Sequence, residues 1–203
     1  MKTTDIVIVI GRKGSGKTYL IKHLFLAQFQ SYVIDDHVME RVRNEYADYG
    51  YRARYLADIV GKPKANYYDR EKDDASFEKI WNAVKAHASK WGDTLFVIDE
   101  AHIHFSKKSL PTAQKEVLHE NRHYGTGIIL ASQRIYDINP IGYKQADYII
   151  SFYTREPREI EFIRKYISSE VAETVKNLKQ FYFVLFDVNN QRVRVHKIGR
   201  AHV

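Results

Sequence analysis

The stretch DIVIVIGRKGSGKT, residues 5–18, decides the fold of this chain. Its first half is an apolar run that predicts a buried strand, and its second half, residues 11–18, fits the pattern G-x-x-x-x-G-K-[S/T] of a phosphate-binding loop. Glycine lacks a Cβ, so the loop backbone can adopt positive φ and approach a polyphosphate closely. Successive N–H groups then face the phosphates beside the positive end of the following helix. The stretch therefore predicts a nucleotide-binding loop between a strand and a helix.

Every residue of this loop is a candidate nucleotide contact. These candidates are Gly11, Arg12, Lys13, Gly14, Ser15, Gly16, Lys17 and Thr18. Two of the side chains have specific predicted roles, because Lys17 can reach the β- and γ-phosphates and the Thr18 hydroxyl can ligate Mg²⁺. ATP and Mg²⁺ are thus the predicted cofactors, and the alternative is a glycine-rich turn without a ligand.

A second apolar run, residues 94–98, ends in the two carboxylates Asp99 and Glu100. A strand beside the phosphate loop would deliver Asp99 to the Mg²⁺ shell, directly or through water. Glu100 would then polarise a water for attack on the γ-phosphate. A solvated acidic turn is the alternative, which the nearby phosphate-binding loop disfavours. The pair predicts hydrolysis of the nucleotide rather than binding alone.

A third apolar run, residues 127–131, is followed by Ser132 and Gln133. Nucleotide sites of open α/β sheets lie at the carboxyl ends of the strands, where this glutamine is expected. Gln133 is therefore predicted to hydrogen-bond the γ-phosphate or the attacking water and to sense the nucleotide. The alternative is a glutamine that caps the turn.

Arg122 closes the helical pattern that precedes this third run. An arginine that stabilises charge on the transferred phosphoryl group raises the rate by on the order of 10³–10⁵, and it is often supplied by another subunit. Arg122 is a candidate for this role in trans. Three other arginines compete for it, namely Arg134, Arg155 and Arg158. A helix C-terminal arginine can also serve only as a partner of the helix dipole.

Apolar runs and helical periodicities alternate along most of the chain. The predicted strands are residues 5–10, 32–35, 94–98, 127–131 and 148–152, and the predicted helices are residues 17–29, 75–90, 112–123 and 157–166. This alternation indicates a parallel sheet with both faces covered. Two further runs, residues 181–187 and 192–197, indicate a C-terminal hairpin over residues 180–198. The predicted fold is a three-layer α/β domain, residues 1–203, whose central sheet is mostly parallel with an antiparallel C-terminal edge.

Composition narrows the class of protein. The 203 residues contain no cysteine, which excludes disulfides, a zinc ribbon and thiolate catalysis. No apolar run is long enough to span a membrane and no signal-peptide pattern opens the chain, so we expect a soluble intracellular protein. The net charge of +7 favours a polyanionic partner such as nucleic acid, although such a charge can also serve solubility alone.

Residues 36–74 form the least regular part of the sequence. This segment interleaves arginines and lysines with tyrosines, a composition that suits contact with nucleic-acid phosphates together with base stacking. The alternative is an irregular insertion whose tyrosines pack locally while its charges stay solvated.

Four features together resemble the FtsK–HerA superfamily of P-loop ATPases. They are the loop at 11–18, the pair Asp99-Glu100, the segment 122–125 and the strand end at 131–134. Within this superfamily the short chain is similar to the viral genome-packaging ATPases, especially those of turreted icosahedral archaeal viruses such as the Sulfolobus viruses. The loop is common to many NTPases, so the specificity lies in the acidic pair followed by Gln133 one strand later.

This resemblance implies an ASCE-type, RecA-like ATPase that works as a homohexameric ring. Such a ring would move double-stranded DNA through its pore into a preformed viral capsid, at the capsid or its internal membrane vertex. ATP and Mg²⁺ would lie at subunit interfaces, with Glu100 as base, Gln133 as sensor and Arg122 as trans arginine. The expected location is the host cytoplasm or the virion. The pore-lining residues stay open between Lys107-Lys108 and the basic segment 41–64.

Other classes of protein share parts of this pattern. Residues 99–102 also spell the DEAH box of helicases, which need two RecA-like domains. A thymidine-kinase-like nucleoside kinase has the right size and a phosphate loop, but the zinc-binding cysteines of that family are absent. A scaffold that only binds ATP would not need both carboxylates. A metal site at His102 and His104 lacks a matched third ligand, so core or solvated histidines are favoured.

Overall fold

The structure is a computed structural model that describes residues 2–36 and 46–199. The strands in these residues are β1 (Ile6–Ile10), β2 (Ser31–Asp35), β3 (Tyr51–Ala53), β4 (Lys64–Tyr67), β5 (Thr94–Ile98), β6 (Thr126–Ser132), β7 (Tyr148–Phe152), β8 (Tyr182–Asp187) and β9 (Arg192–Lys197). They form one sheet in the order β3-β4-β2-β5-β6-β1-β7-β8-β9. Neighbours from β3 to β7 are parallel, whereas β8 pairs antiparallel with both β7 and β9. The predicted α/β fold, mostly parallel with an antiparallel C-terminal edge, is confirmed.

Helices cover both faces of this sheet. They are α1 (Lys17–Leu20), α2 (Leu56–Gly61), α3 (Asp74–Trp91), α4 (His102–Phe105), α5 (Thr112–His119), α6 (Pro140–Gln145), α7 (Pro157–Tyr166) and α8 (Ser169–Lys176). Successive side chains of a strand point to opposite faces, so β1 contributes to two separate cores. Ile8 packs in the cluster that contains Trp81 of α3 and Ile163 of α7, and Val9 packs in the cluster of Leu20 and Phe25.

The strand order separates the phosphate loop from the acidic pair by one strand. Because β6 lies between β1 and β5, the Asp99 strand is the second neighbour of the loop strand, and its carboxyl end still reaches the loop, with the Asp99 Oδ1 3.4 Å from the Lys17 Nζ. All seven residues of β6 are buried, which suits a strand in the middle of the sheet. The sequence order of the strands could not decide this, since β6 follows β5 in the chain.

Residues 46–74 are more regular than the sequence indicates. The strands β3 and β4 and the helix α2 extend the sheet there, so the description of this part as irregular is wrong. Both strands are short and polar, and β3 is an exposed edge strand. No apolar run therefore marks them in the sequence. The rest of the segment, residues 37–45 with Arg41 and Arg43, lies outside the described residues.

Two helices differ from their predicted form. The helix expected over residues 17–29 begins as α1, continues as a π-helical turn over Ile21–Phe25 and ends in a 3₁₀ turn over Leu26–Gln28. The helix expected over residues 112–123 ends at His119, and a 3₁₀ turn over Asn121–Tyr124 follows it. In the described part of the chain, no helix is both long and apolar enough to cross a membrane.

Candidate nucleotide site

Three parallel strands bring the predicted site residues to one edge of the sheet. The loop at 11–18 follows β1, Asp99 and Glu100 follow β5, and Gln133 follows β6. The registers align Ile10 with Ser132 and Ile98 with Leu130, so β5 ends two residues short of β1 and all three strands end on the same side of the sheet. The N–H of Gly11 also donates to the carbonyl of Ser132 at 3.1 Å. Residues far apart in sequence are thereby assembled into one candidate site.

The loop backbone has the conformation that a phosphate cradle requires. Gly14 and Gly16 have φ values of 79° and 101°, which other residues rarely adopt. The hydroxyl oxygen of Ser15 is buried and has no hydrogen-bond partner among the described residues. The carbonyl of Gly16 accepts from the N–H of Leu20 at 2.9 Å, which starts the helix directly after the loop. This arrangement fits the binding of a polyphosphate.

Lys17 and Asp99 form an ion pair inside the protein. The Lys17 Nζ lies 3.4 Å from the Asp99 Oδ1, and the two residues are only 8% and 3% exposed. Burial raises the pKa of the Asp99 carboxyl above its ordinary value, while the positive charge of Lys17 opposes the rise. A phosphate in the loop and the Asp99 carboxylate would share the same ammonium group. Binding of a phosphate at the loop would therefore change the interaction between Lys17 and the Asp99 carboxylate at the end of β5.

Glu100 is held in an unusual conformation beside this pair. Its φ is 49°, and its N–H donates to the Asp99 Oδ1 at 3.1 Å. Its Oε1 accepts a hydrogen bond from the Gln133 amide at 2.6 Å, and its Oε2 lies 3.4 Å from the Nδ1 of His102. Burial opposes ionisation, but the contacts with His102 and Gln133 and the charge of Lys17 hold the pKa of Glu100 below its ordinary value. The side chain is thus a carboxylate, able to accept a proton, at neutral pH.

Gln133 touches Glu100 directly. The sequence predicts a contact to phosphate or water, or a turn cap, and does not predict this side chain pair. The amide and carboxylate lie at the ends of neighbouring strands, so only the register of β5 against β6 could reveal their contact. A change in the conformation of either side chain would therefore break or alter the hydrogen bond to the other.

Arg122 lies at the opposite side of the sheet, near the amino-terminal ends of the parallel strands. It precedes β6, whereas Gln133 follows it, and seven strand residues at about 3.3 Å each separate the two positions by roughly 20 Å. The guanidinium forms an ion pair with the Asp147 Oδ1 at 2.8 Å, at the start of β7. Arg122 therefore does not join the site of its own chain, and its role in trans stays a prediction.

A buried carboxylate beside the loop was missed by sequence reasoning. Glu159 of α7 is 3% exposed, accepts a hydrogen bond from the Thr154 hydroxyl and lies 3.9 Å from the Arg12 guanidinium. Burial raises the pKa of Glu159, which Thr154 and Arg12 oppose. Thr154 also accepts from Arg12 at 3.4 Å. Glutamate is ordinary in the first turn of a helix, so the sequence carries no signal for this contact.

The two histidines at metal-ligand spacing point to different partners. His102 lies beside Glu100, whereas His104 is buried with its Nε2 3.7 Å from the Asp35 Oδ2 and 3.9 Å from the Asp69 Oδ2. One is part of the candidate nucleotide site, and the other belongs to the neighbouring ends of β2 and β4.

Replacing Lys17 with alanine should affect both the nucleotide and the fold. We expect loss of ATP binding, because the phosphate contact is removed. We also expect a loss of about 3 kcal/mol in the free energy of unfolding at neutral pH, because a buried carboxylate loses its partner. Without Lys17 the pKa of Asp99 rises further above its unfolded value, so the deficit should grow as pH rises from about 4 to about 8.

Nucleotide titration and chemical denaturation at several pH values check this. Lys115→Ala is the matched control, since Lys115 is an exposed lysine of α5, outside the loop. Adding Asp99→Asn to Lys17→Ala should restore stability without restoring ATP binding. A Lys17→Ala protein as stable as wild type at every pH would contradict the buried ion pair.

Comparisons with known proteins agree with this geometry. Residues 1–137 match the family model of the AAA domain. The genome packaging NTPase B204 from Sulfolobus turreted icosahedral virus 2, solved in complex with ATP-γS, is 52% identical, with a TM-score of 0.92 over 97% of this chain and 98% of that chain. B204, the DNA-packaging ATPase from Sulfolobus turreted icosahedral virus, is 54% identical, with a TM-score of 0.91 over the same shares.

More distant structures share the fold alone. VirB4 of Thermoanaerobacter pseudethanolicus is 12% identical, with a TM-score of 0.63 over 98% of this chain and 90% of that chain. Among curated protein sequences, none matches. The resemblance to viral genome-packaging ATPases is confirmed by the identities above. The chain therefore belongs to the AAA-domain family of P-loop ATPases, together with the viral packaging NTPase B204.

Proposed function

We propose that this protein is an ATP-hydrolysing motor that packages double-stranded viral DNA into a preformed capsid, working as a single P-loop ATPase domain. The observation that carries the proposal is the pairing of Lys17 with Asp99 and of Glu100 with Gln133 at one sheet edge. This site lies in a chain that resembles, over nearly its whole length, an NTPase named for genome packaging.

The loop would hold the phosphates of ATP through its backbone N–H groups and Lys17. Thr18 and Asp99 would hold Mg²⁺, and their hydroxyl and carboxylate oxygens are ligands that this ion prefers. When bound, Mg²⁺ neutralises negative charge on the phosphates. Arg12, fixed by Thr154 and Glu159, adds a further positive group at the loop.

Glu100 is the proposed general base. Its lowered pKa keeps it ionised, so its carboxylate can take the proton of the water that attacks the γ-phosphate. Gln133 now occupies one oxygen of that carboxylate. When the amide turns to the γ-phosphate or the water, Glu100 is released for the base role. This exchange would let Gln133 report whether ATP is bound.

Arg122 is proposed to act in trans within a hexameric ring. Arg122 lies near the amino-terminal ends of the parallel strands, far from the nucleotide site of its own subunit, and its side chain is 60% exposed. Both features support contact with the nucleotide of a neighbouring subunit. The proposed partners are double-stranded DNA and the viral capsid or its internal membrane vertex, in the host cytoplasm or the virion. Positive net charge of +7 supports the DNA partner.

The Glu100→Gln variant should retain ATP binding and lose hydrolysis. The amide cannot accept the proton, so we expect turnover at least about 100-fold slower. Release of inorganic phosphate and nucleotide affinity are the measurements. Glu78→Gln, an exposed change of the same kind on α3, should behave as wild type. Hydrolysis near the wild-type rate in Glu100→Gln would remove this residue from the base role.

Mixing Arg122→Ala with Glu100→Gln subunits tests the trans arginine. Each variant alone should be inactive, whereas a mixed ring can place the intact arginine of a Glu100→Gln subunit at the intact Glu100 of its neighbour. We expect ATP hydrolysis to reappear in the mixture. Asp147→Asn is the control, because it breaks the same ion pair and keeps the arginine. Equal loss in all mixtures, matched by Asp147→Asn, would assign Arg122 a structural role.

The rate of ATP hydrolysis with and without double-stranded DNA tests the motor function itself. We expect DNA to accelerate hydrolysis, because translocation couples the two. Thymidine is offered in parallel as a phosphate acceptor. Transfer of phosphate to thymidine, with no response to DNA, would replace the motor with a nucleoside kinase.

A further inference from the structure

We propose that a basic groove at the β3–β4 edge binds the phosphate backbone of double-stranded DNA. This proposal rests on the proposed function and identifies the surface that would contact the DNA. The groove has a volume of about 520 Å³. Its basic and aromatic lining residues, which define the basic groove here, are Arg52, Arg54, Arg70, Lys79, Tyr55, Tyr67 and Tyr68.

Three cations of the basic groove, Arg54, Arg70 and Lys79, have no ion pair within the described residues, although the Asp58 and Asp73 carboxylates act on Arg54 and Lys79 from further away. Arg54, Arg70 and Lys79 are exposed, and none of them forms an ion pair with another described residue. Unpaired cations close together repel one another, so they favour a polyanion that brings several negative charges. A nucleic-acid backbone supplies such charges at regular intervals.

The acidic residues in the lining of the groove offset only part of this charge. Asp69 is buried, accepts hydrogen bonds from the N–H groups of Glu71 and Lys72 at 3.1 Å each, and accepts another from the Ser76 hydroxyl at 2.6 Å. These donors are neutral, so Asp69 keeps its negative charge beside the groove. Glu71 is the exposed acid among the described lining residues, so two acids, Asp69 and Glu71, face the cations Arg54, Arg70 and Lys79.

Both loops of the groove are fixed without use of their arginine side chains. The Asp58 carboxylate accepts from the N–H groups of Arg54 and Tyr55 at 2.9 and 3.0 Å. These bonds, that of Tyr55 first, lower the pKa of Asp58, so the bonds persist at neutral pH. Asp69 fixes the other loop in the same manner. The guanidinium groups are therefore presented on ordered backbone, which reduces the entropy lost on binding.

Tyrosines complete a phosphate-binding surface. Tyr55 is 72% exposed beside Arg54, and its hydroxyl can donate to a phosphate oxygen. Burial and then the Asp69 carboxylate raise the pKa of Tyr67, which keeps its hydroxyl protonated as a donor. Lys107, one alternative from the sequence, is already paired with Asp74.

The groove is joined to the nucleotide site through the backbone. The carbonyl of Tyr67 accepts from the N–H of Asp36 at 2.8 Å, and the carbonyl of Asp35 accepts from the N–H of Asp99 at 3.0 Å. The ends of β4, β2 and β5 are thus linked side by side, across about 10 Å. DNA in the groove would thus lie at the carboxyl ends of the parallel strands, where the candidate ATP site also lies. This position suits a surface that must respond to hydrolysis.

The double variant Arg54→Gln/Arg70→Gln tests the groove. Binding of a fluorescent DNA duplex is measured at a series of salt concentrations. Two lost phosphate contacts should reduce the slope of log K against log[salt] by about 1.8 and weaken binding by about tenfold. Lys176→Gln/Lys179→Gln is the control of equal charge change, since both residues are exposed near the opposite end of the sheet. The control should keep the wild-type slope, and thermal melting verifies that all variants fold.

The outcomes separate this proposal from the proposed function. If wild type binds duplex DNA and the groove variant keeps the control's slope, the groove is overturned and the motor stands. If wild type does not bind duplex DNA, both are overturned. A variant that keeps its duplex slope but loses self-association would make the groove a contact between copies of the chain. Loss confined to single-stranded DNA would overturn the duplex assignment.

Discussion

The parallel alignment of β1, β6 and β5 is the constraint on which the candidate site depends. Parallel strands end at the same edge, so the loop after β1, the carboxylates after β5 and the glutamine after β6 converge. Antiparallel pairing would have sent one of them to the far edge, where Arg122 lies. The ion pair between Lys17 and Asp99 spans two strand spacings and ties the loop to this arrangement.

Two coupled pairs give the site its chemistry. Lys17 with Asp99 links the phosphate loop to the proposed Mg²⁺ position, and Glu100 with Gln133 links the proposed base to the proposed sensor. The short backbone step between Asp99 and Glu100 joins the pairs, at a residue whose φ of 49° costs conformational energy. Such strain suits a position that changes state during a cycle. The same edge continues through Asp35 to the basic groove.

Much of the fold could be predicted because its central strands are long apolar runs. The strands Thr94–Ile98 and Tyr148–Phe152 match their predicted bounds, since burial on both faces selects continuous apolar sequence. The edge strand β3 and its neighbour β4 could not be found in this way, because these strands are partly exposed and contain polar residues instead of a continuous apolar run. The break of the helix after Leu20 into a π turn also has no signal in residue types alone.

The sequence by itself determined the chemistry: a loop of glycines with Lys17 and Thr18, two carboxylates after a buried strand, and a glutamine after another. Local residue order decides these features because each motif lies within one loop or strand end. Tertiary structure alone decided which groups meet. The partner of Lys17 is 82 residues away and that of Gln133 is 33 residues away, and strand order sets both contacts. The burial of Glu159 and the basic groove depend in the same way on packing between distant segments.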